Sequence, residues 1–313
     1  MSALSLRNQI EHLIKSGSVL LSSGFRIKEI SMQRDMDAQF SLDHVPGLVG
    51  IFERRKQLAD EALRRYQMFR KVAWAQGAGH TLNIFPAQGA SGLAPVQFFI
   101  HGGFWRSLDA DLFSFLASGF VPFGAMLVVI DYPLMPETRM DGVVEACRKA
   151  LAWTHAHCAQ YGGDPDRLFI SGNSAGGHLV AELADRPSLA KAGLPENAIK
   201  GVTAISGIFD LKPVTRSFQD DSLHLTAAEV AEFSPLNRVY DLAAPLIVTL
   251  GNDETEEFHR QSELFVRHCH QDRFPVSLLK VPSTNHITVL SEALAEPDNV
   301  LNQAVRRQMG LLA

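Results

Sequence analysis

Between Pro46 and Lys71 the apolar positions Leu48, Ile51, Phe52, Ala59, Ala62, Leu63, Tyr66 and Phe69 recur at threes and fours. That spacing lines one face of a helix, so an amphipathic helix with a proline near its start is predicted over 46–71. Beyond residue 80 the period changes to short apolar runs: Thr81–Phe85, Val96–Ile100, Met126–Ile130, Leu168–Gly172, Gly201–Ser206, Leu246–Gly251 and Ser277–Val281. These are seven candidate strands. Between them lie helical patterns such as Val143, Cys147, Ala150, Leu151, Thr154 and Cys158, long enough to cross a sheet. Strand, helix, strand repeated predicts an α/β fold with a mostly parallel central sheet and helices on both faces. The change of period divides the chain into an N-terminal helical segment, 1–80, and a single α/β domain, 81–313. The first segment either forms part of a lid or packs on the outside of the sheet.

Composition narrows the class without altering this picture. With 46% hydrophobic and 20% charged residues among 313, the chain matches a globular protein and excludes extensive disorder. The net charge of −5 offers no field for phosphates or anionic lipid, so neither nucleic acid nor membrane is an expected partner. Three cysteines, Cys147, Cys158 and Cys269, cannot all pair. Glu11, Lys15 and Arg26 interrupt the first 30 residues, so no signal-peptide core or membrane span can be drawn there. A cytoplasmic location is the expectation, with the oligomeric state open and a homodimer one option.

In open sheets of this kind, ligands sit beyond the carboxyl ends of the strands. There the strand Leu168–Ser171 runs into Gly172-Asn173-Ser174-Ala175-Gly176 and then a helical stretch from His178. This is G-x-S-x-G between a strand and a helix, a sharp turn that lifts a serine nucleophile to the top of the sheet. The helix start aims free N–H groups at the same place. After the strand Val96–Ile100 comes His101-Gly102-Gly103-Phe104-Trp105, whose glycines let the backbone amides turn inward. The N–H groups of Gly103, Phe104 and Ala175 are therefore the expected oxyanion hole. His101 is expected to hold that loop, and Phe104 and Trp105 to line the pocket.

A serine on such a turn needs an acid after a late strand and a histidine after the last one. Leu246–Leu250 leads to Gly251-Asn252-Asp253-Glu254, and Ser277–Val281 leads to Pro282-Ser283-Thr284-Asn285-His286. His286 fits the base; spacing permits Asp253 or Glu254 as its carboxylate. The triplets around His155–Cys158 and His268–His270 are ligand-rich, but helical positions two apart face nearly opposite ways, so no metal is expected. No P-loop or dinucleotide fingerprint follows the early strands, so no cofactor is expected either.

From about Thr81 onward these residues resemble the α/β-hydrolases, and among them the kynurenine formamidase (arylformamidase) group and related hormone-sensitive-lipase-like esterases. The segment Ser206–Pro213 is similar to that group's S-G-[IV]-F-D-L-x-P. Leu223–Thr226, Ser234-Pro235 and the block Glu257-Phe258-His259-Arg260-Gln261-Ser262 continue the likeness. In that group the acid stands three residues before this glutamate, which implies Glu254. The chain departs where the animal formamidases carry histidine before the nucleophile and aspartate as acid: here stand Asn173, beside the substrate, and Glu254. The resemblance implies a metal-independent serine hydrolase with Ser174, His286 and Glu254 as its triad, acting on a small molecule such as N-formylkynurenine. A general carboxylesterase of the same fold and a non-catalytic ligand-binding protein are the two alternatives.

Overall fold

The computed structural model describes residues 35–269 and 274–312. Eight strands form one sheet: β1 (Phe69–Ala73), β2 (Thr81–Phe85), β3 (Ala94–Ile100), β4 (Met126–Ile130), β5 (Gly163–Asn173), β6 (Ile199–Ile205), β7 (Leu246–Gly251) and β8 (Val276–Val281). Their order is β1-β2-β4-β3-β5-β6-β7-β8. Strand β2 is antiparallel to both its neighbours, and every pair from β4 to β8 is parallel.

Parallel neighbours require crossovers: α1 (Leu48–Arg65) precedes the sheet, whereas α2 (Met140–His157), α3 (Ala175–Leu183) and α4 (Glu256–Cys269) lie in these connections, and α5 (Val300–Gln308) follows the last strand. Side chains alternate across each strand, so the central strands feed two cores. Phe98, Ile100, Val128 and Ile130 join one core with Val143, Leu179 and Phe265 from α2, α3 and α4. Phe99, Leu127 and Val129 join the other with Ala59, Ala62, Leu301 and Val305 from α1 and α5. Strands buried on both faces carry unbroken apolar runs for this reason. Among the described residues, no helix is long and apolar enough to cross a membrane.

Two expectations about the N-terminal region need correction. The helix predicted to Lys71 stops at Arg65, where Tyr66 turns to extended backbone. Phe69–Ala73 then forms an eighth strand, so the boundary at residue 80 cuts through the sheet and 1–80 is not a helical segment apart. Strand β1 is an edge strand, exposed at four of five positions, with a register shift between Phe69 and Val72 and a left-handed Lys71 (φ 51). A bulged, exposed edge has no alternation to read. Helix α1 itself packs on an outer face, burying Ala59, Ala62 and Tyr66 with Phe113 and Phe115. A helical turn at 35–40 is instead fastened to the segments that follow β6 and β7, through Asp37 to Phe218 and Gln39 to Thr255. Residues 1–34 of the proposed lid lie outside the described residues.

Candidate active site

Strand β5 ends at Asn173 and α3 begins at Ala175, leaving Ser174 alone at the turn with φ 59 and ψ −121. A residue other than glycine in this region costs about 1–3 kcal/mol, and its surroundings must impose it. Here the Ser174 N–H donates to the Ile205 carbonyl at 2.9 Å, and the Ser174 carbonyl accepts from the His178 N–H at 3.0 Å. The turn is close-packed: a Cβ on Gly176 would stand 2.0 Å from the Ile100 carbonyl oxygen. Only glycine fits there, which is the physical content of the G-x-S-x-G pattern.

The loop after β3 lies directly against this serine. A Cβ on Gly102 would fall 2.8 Å from the Asn173 carbonyl oxygen and 3.1 Å from Ser174 Cβ. Among the described residues, the amides of Gly103 and Phe104 donate to no acceptor, and Ala175, first in α3, has none within its helix. His101 is buried, and its Nδ1–H donates to the Gly102 carbonyl at 2.7 Å. Its ring stacks on Tyr132 at 4.4 Å, whose hydroxyl donates to the His101 carbonyl at 3.0 Å. Phe113 covers the ring at 5.6 Å, and the Arg55 guanidinium of α1 lies 4.2 Å over Phe113. Burial lowers the His101 pKa, so the ring is a neutral brace for the loop, in line with its expected part.

Trp105 does not line the site. Its side chain has no exposed surface, and its indole N–H donates to His178 Nδ1 at 3.1 Å. The backbone is left-handed at both Phe104 (φ 47) and Trp105 (φ 56), and the Trp105 ring lies in the core while Phe104 remains half-buried. Asn173 is 4% exposed beside the serine, and its Nδ2 has no hydrogen-bond partner. A buried amide donor left free costs stability.

The loops after β7 and β8 bring the carboxylate and the imidazole together. His286 Nδ1 and Glu254 Oε2 lie 2.8 Å apart. The other carboxylate oxygen accepts from the Ser206 hydroxyl at 2.6 Å and from the Gly251 N–H at 2.7 Å. With Nδ1–H given to the carboxylate, Nε2 is left as the acceptor. Glu254 is buried, whereas Asp253 points into solvent. The two loops are joined by the Asn252 N–H to the Val281 carbonyl and the Asp253 N–H to the Thr284 carbonyl, both 2.9 Å. Asn285 Oδ1 accepts from the Ile287 and Thr288 amides at 3.0 Å each, which fixes the turn carrying His286. No hydrogen bond joins Ser174 to His286 here; such contacts often tighten only around a substrate.

Four residues at the site were not singled out as site residues by their sequence positions. Ser206 holds the acid from the end of β6; it stands in the Ser206–Pro213 motif, but no spacing rule gives its task. Phe258 lies 4.4 Å from the His286 ring. His178 anchors Trp105. Phe40 packs between Phe104 and Phe258. Of the ligand-rich triplets, His270 lies outside the described residues. Among the described residues, no group of three or more His, Cys, Asp or Glu is placed to hold a metal ion.

A serine at a strained strand-to-helix turn, with a buried carboxylate–imidazole pair at the ends of the last two strands, defines a hydrolase class. Residues 97–289 match the family described by its alpha/beta hydrolase fold, and the chain belongs to it. The kynurenine formamidase of Salmo salar is 27% identical over 273 residues, covering 85% of this chain and 88% of the relative. Esterase LipC of Mycobacterium tuberculosis is 27% identical over 248 residues, 71% of this chain and 60% of that one. The crystal structure of esterase B from Lactobacillus rhamnosis superposes with a TM-score of 0.65 at 17% identity, covering 91% and 96% of the two chains.

Proposed function

We propose that the protein is a metal-independent serine hydrolase that cleaves a small amide through an acyl-enzyme, an N-formyl aryl amide of the N-formylkynurenine type being its substrate. The observation that carries the reading is the Glu254–His286 pair at 2.8 Å, formed at the strand ends where Ser174 occupies its strained turn. A carboxylate on Nδ1 fixes the tautomer whose Nε2 can take a proton, which is what a serine nucleophile requires. Ser174 Oγ attacks the carbonyl carbon as His286 Nε2 takes its proton. The charge that develops on the carbonyl oxygen meets the amides of Gly103, Phe104 and Ala175. The bond to the leaving nitrogen then breaks, and His286 returns the proton to that nitrogen. Water repeats the sequence on the acyl-enzyme, releasing the carboxylic acid, which is formate for a formamide. Glu254 remains ionised throughout and stabilises the imidazolium.

The amide class is supported by the formamidase relative, which spans most of both chains. A carboxylesterase is the second reading, supported by the LipC relative, because fold and triad do not fix the leaving group. A pure binding role gives no reason for a strained serine beside a buried acid–base pair.

Hydrolysis of N-formylkynurenine beside p-nitrophenyl acetate, with a chelator present, tests the assignment. The expected result is a preference for the formamide and loss of both activities in Ser174→Ala. Preference for the ester selects the second reading, and activity that survives Ser174→Ala overturns the mechanism.

A further inference from the structure

The turn at 35–40 lies on the site and is fastened from both sides. Asp37 Oδ1 accepts from the Phe218 N–H at 2.6 Å, and the Phe40 carbonyl accepts from Gln219 Nε2 at 3.3 Å. Across the site, Gln39 Oε1 accepts from the Glu257 N–H at 2.9 Å and the Gln39 carbonyl from the Thr255 hydroxyl at 2.8 Å. Gln219 also accepts from Arg106 Nη2 at 2.8 Å, which ties the strap to the loop after β3. The ring at the end of this strap is Phe40, 3% exposed. It packs edge-on against Phe104 at 6.1 Å and Phe258 at 5.9 Å. Phe104 belongs to the oxyanion loop, and Phe258 covers the His286 ring. Phe40 therefore bridges the two sides of the site, and beneath this cover Ser174 and His286 are only 4% and 7% exposed.

The stereochemistry of acyl transfer says which part of a substrate meets that ring. On the tetrahedral carbon joined to Ser174 Oγ, the oxyanion faces the loop amides, and the leaving group faces His286 Nε2, from which it takes its proton. The acyl substituent takes the direction left, and the cover that bridges the oxyanion loop and the His286 side is the strap with Phe40. Resting on the serine-hydrolase reading, we propose that Phe40 is a specificity-determining residue that closes the acyl side of the site, admitting formyl and acetyl groups and refusing longer chains. The fastening bonds keep the ring from swinging aside, so the restriction is steric.

The test is a series of p-nitrophenyl esters, acetate, butyrate, hexanoate and octanoate, that share one leaving group, assayed on wild type, Phe40→Ala, Phe40→Leu and Ser174→Ala. Wild type is expected to favour acetate, with kcat/KM falling along the series. In Phe40→Ala the octanoate-to-acetate ratio of kcat/KM is expected to rise about tenfold or more, and by less in Phe40→Leu, since each methylene a pocket accommodates is worth roughly that factor. A purely structural role would lower all four esters together and leave the ratio unchanged. Phe40→Leu keeps an apolar side chain in the core and reads the same ratio if Phe40→Ala does not fold. A wild type that cleaves octanoate as well as acetate, or a ratio unmoved in the folded variants, overturns the inference while Ser174→Ala remains inactive. Hydrolysis that persists in Ser174→Ala overturns the serine mechanism and this inference with it.

Discussion

His286 and His178 are both enclosed by protein, 7% and 0% exposed, yet their nitrogens have different partners. His286 gives Nδ1–H to a buried carboxylate and keeps Nε2 open. His178 accepts the Trp105 indole N–H on Nδ1 and donates Nε2–H to the Phe233 carbonyl at 2.7 Å. Burial pushes the His178 pKa down to about 4 and outweighs the Phe233 carbonyl, which would favour a positive ring; the indole N–H on Nδ1 would not. A carboxylate, Glu182, lies nearby at 4.0 Å, but its short contact is with Arg238 at 2.7 Å. Burial alone therefore does not make a histidine a proton carrier; a carboxylate on one nitrogen and freedom at the other do.

Breaking the first centre has the largest expected effect. His286→Ala removes the group proposed to move the proton, and kcat is expected to fall on the order of 10⁵-fold with the fold intact. Glu254→Gln keeps the size but presents the wrong hydrogen-bond pattern to Nδ1, with an expected loss of about 10⁴-fold. Glu254→Asp withdraws the carboxylate by one methylene from Ser206, Gly251 and His286; a displacement of that order costs roughly 10²-fold. Steady-state kinetics beside circular dichroism separate these losses from unfolding.

A milder break sharpens the contrast, because it touches the carboxylate without touching the ring. Ser206→Ala deletes one of the two hydrogen bonds on Glu254 Oε1 and leaves the Gly251 bond. A hydrogen bond to a charged group contributes about 1.5–3 kcal/mol, so kcat is expected to drop about tenfold or somewhat more with KM unchanged. If KM rises instead, Ser206 acts on substrate binding rather than on the acid.

How much of each centre was legible in the chain follows from what each depends on. Ser174 and His286 are read from strand order, because a nucleophile and its base must stand at carboxyl ends of strands whose apolar runs are visible. The choice between Asp253 and Glu254 is different. Adjacent residues share the same spacing, and only burial separates them, Glu254 inside and Asp253 outside. Here the likeness to the formamidases supplied what spacing did not. Trp105 misleads for the same reason, since order along the chain places it beside the oxyanion loop, while its indole packs on His178 in the core. Phe40 was illegible, because its contacts, Phe104 and Phe258, are set by tertiary packing and no local period marks them. Strand β1 was lost to its bulge.

The effect expected to touch catalysis least lies at the second centre and is read as stability. The folded protein holds His178 neutral, with its pKa taken from 6.5 to about 4, whereas the unfolded chain protonates it near 6.5. Between these values the unfolded state binds more protons, so stability falls as pH drops from about 6.5 to about 4, by on the order of 3 kcal/mol at the acid end. Burial acts the other way on Glu182, raising its pKa and adding stability as pH falls. His101, also lowered by burial, adds to the loss. Comparing wild type with His178→Gln isolates the one ring: glutamine can still accept from the Trp105 indole and donate to Phe233, but it does not titrate. Denaturant midpoints measured from pH 7.5 to 4 are expected to converge toward acid, with the wild-type curve falling more steeply. Parallel curves would mean that His178 takes up its proton at the same pH folded and unfolded, and the contrast with His286 would then rest on the open Nε2 alone.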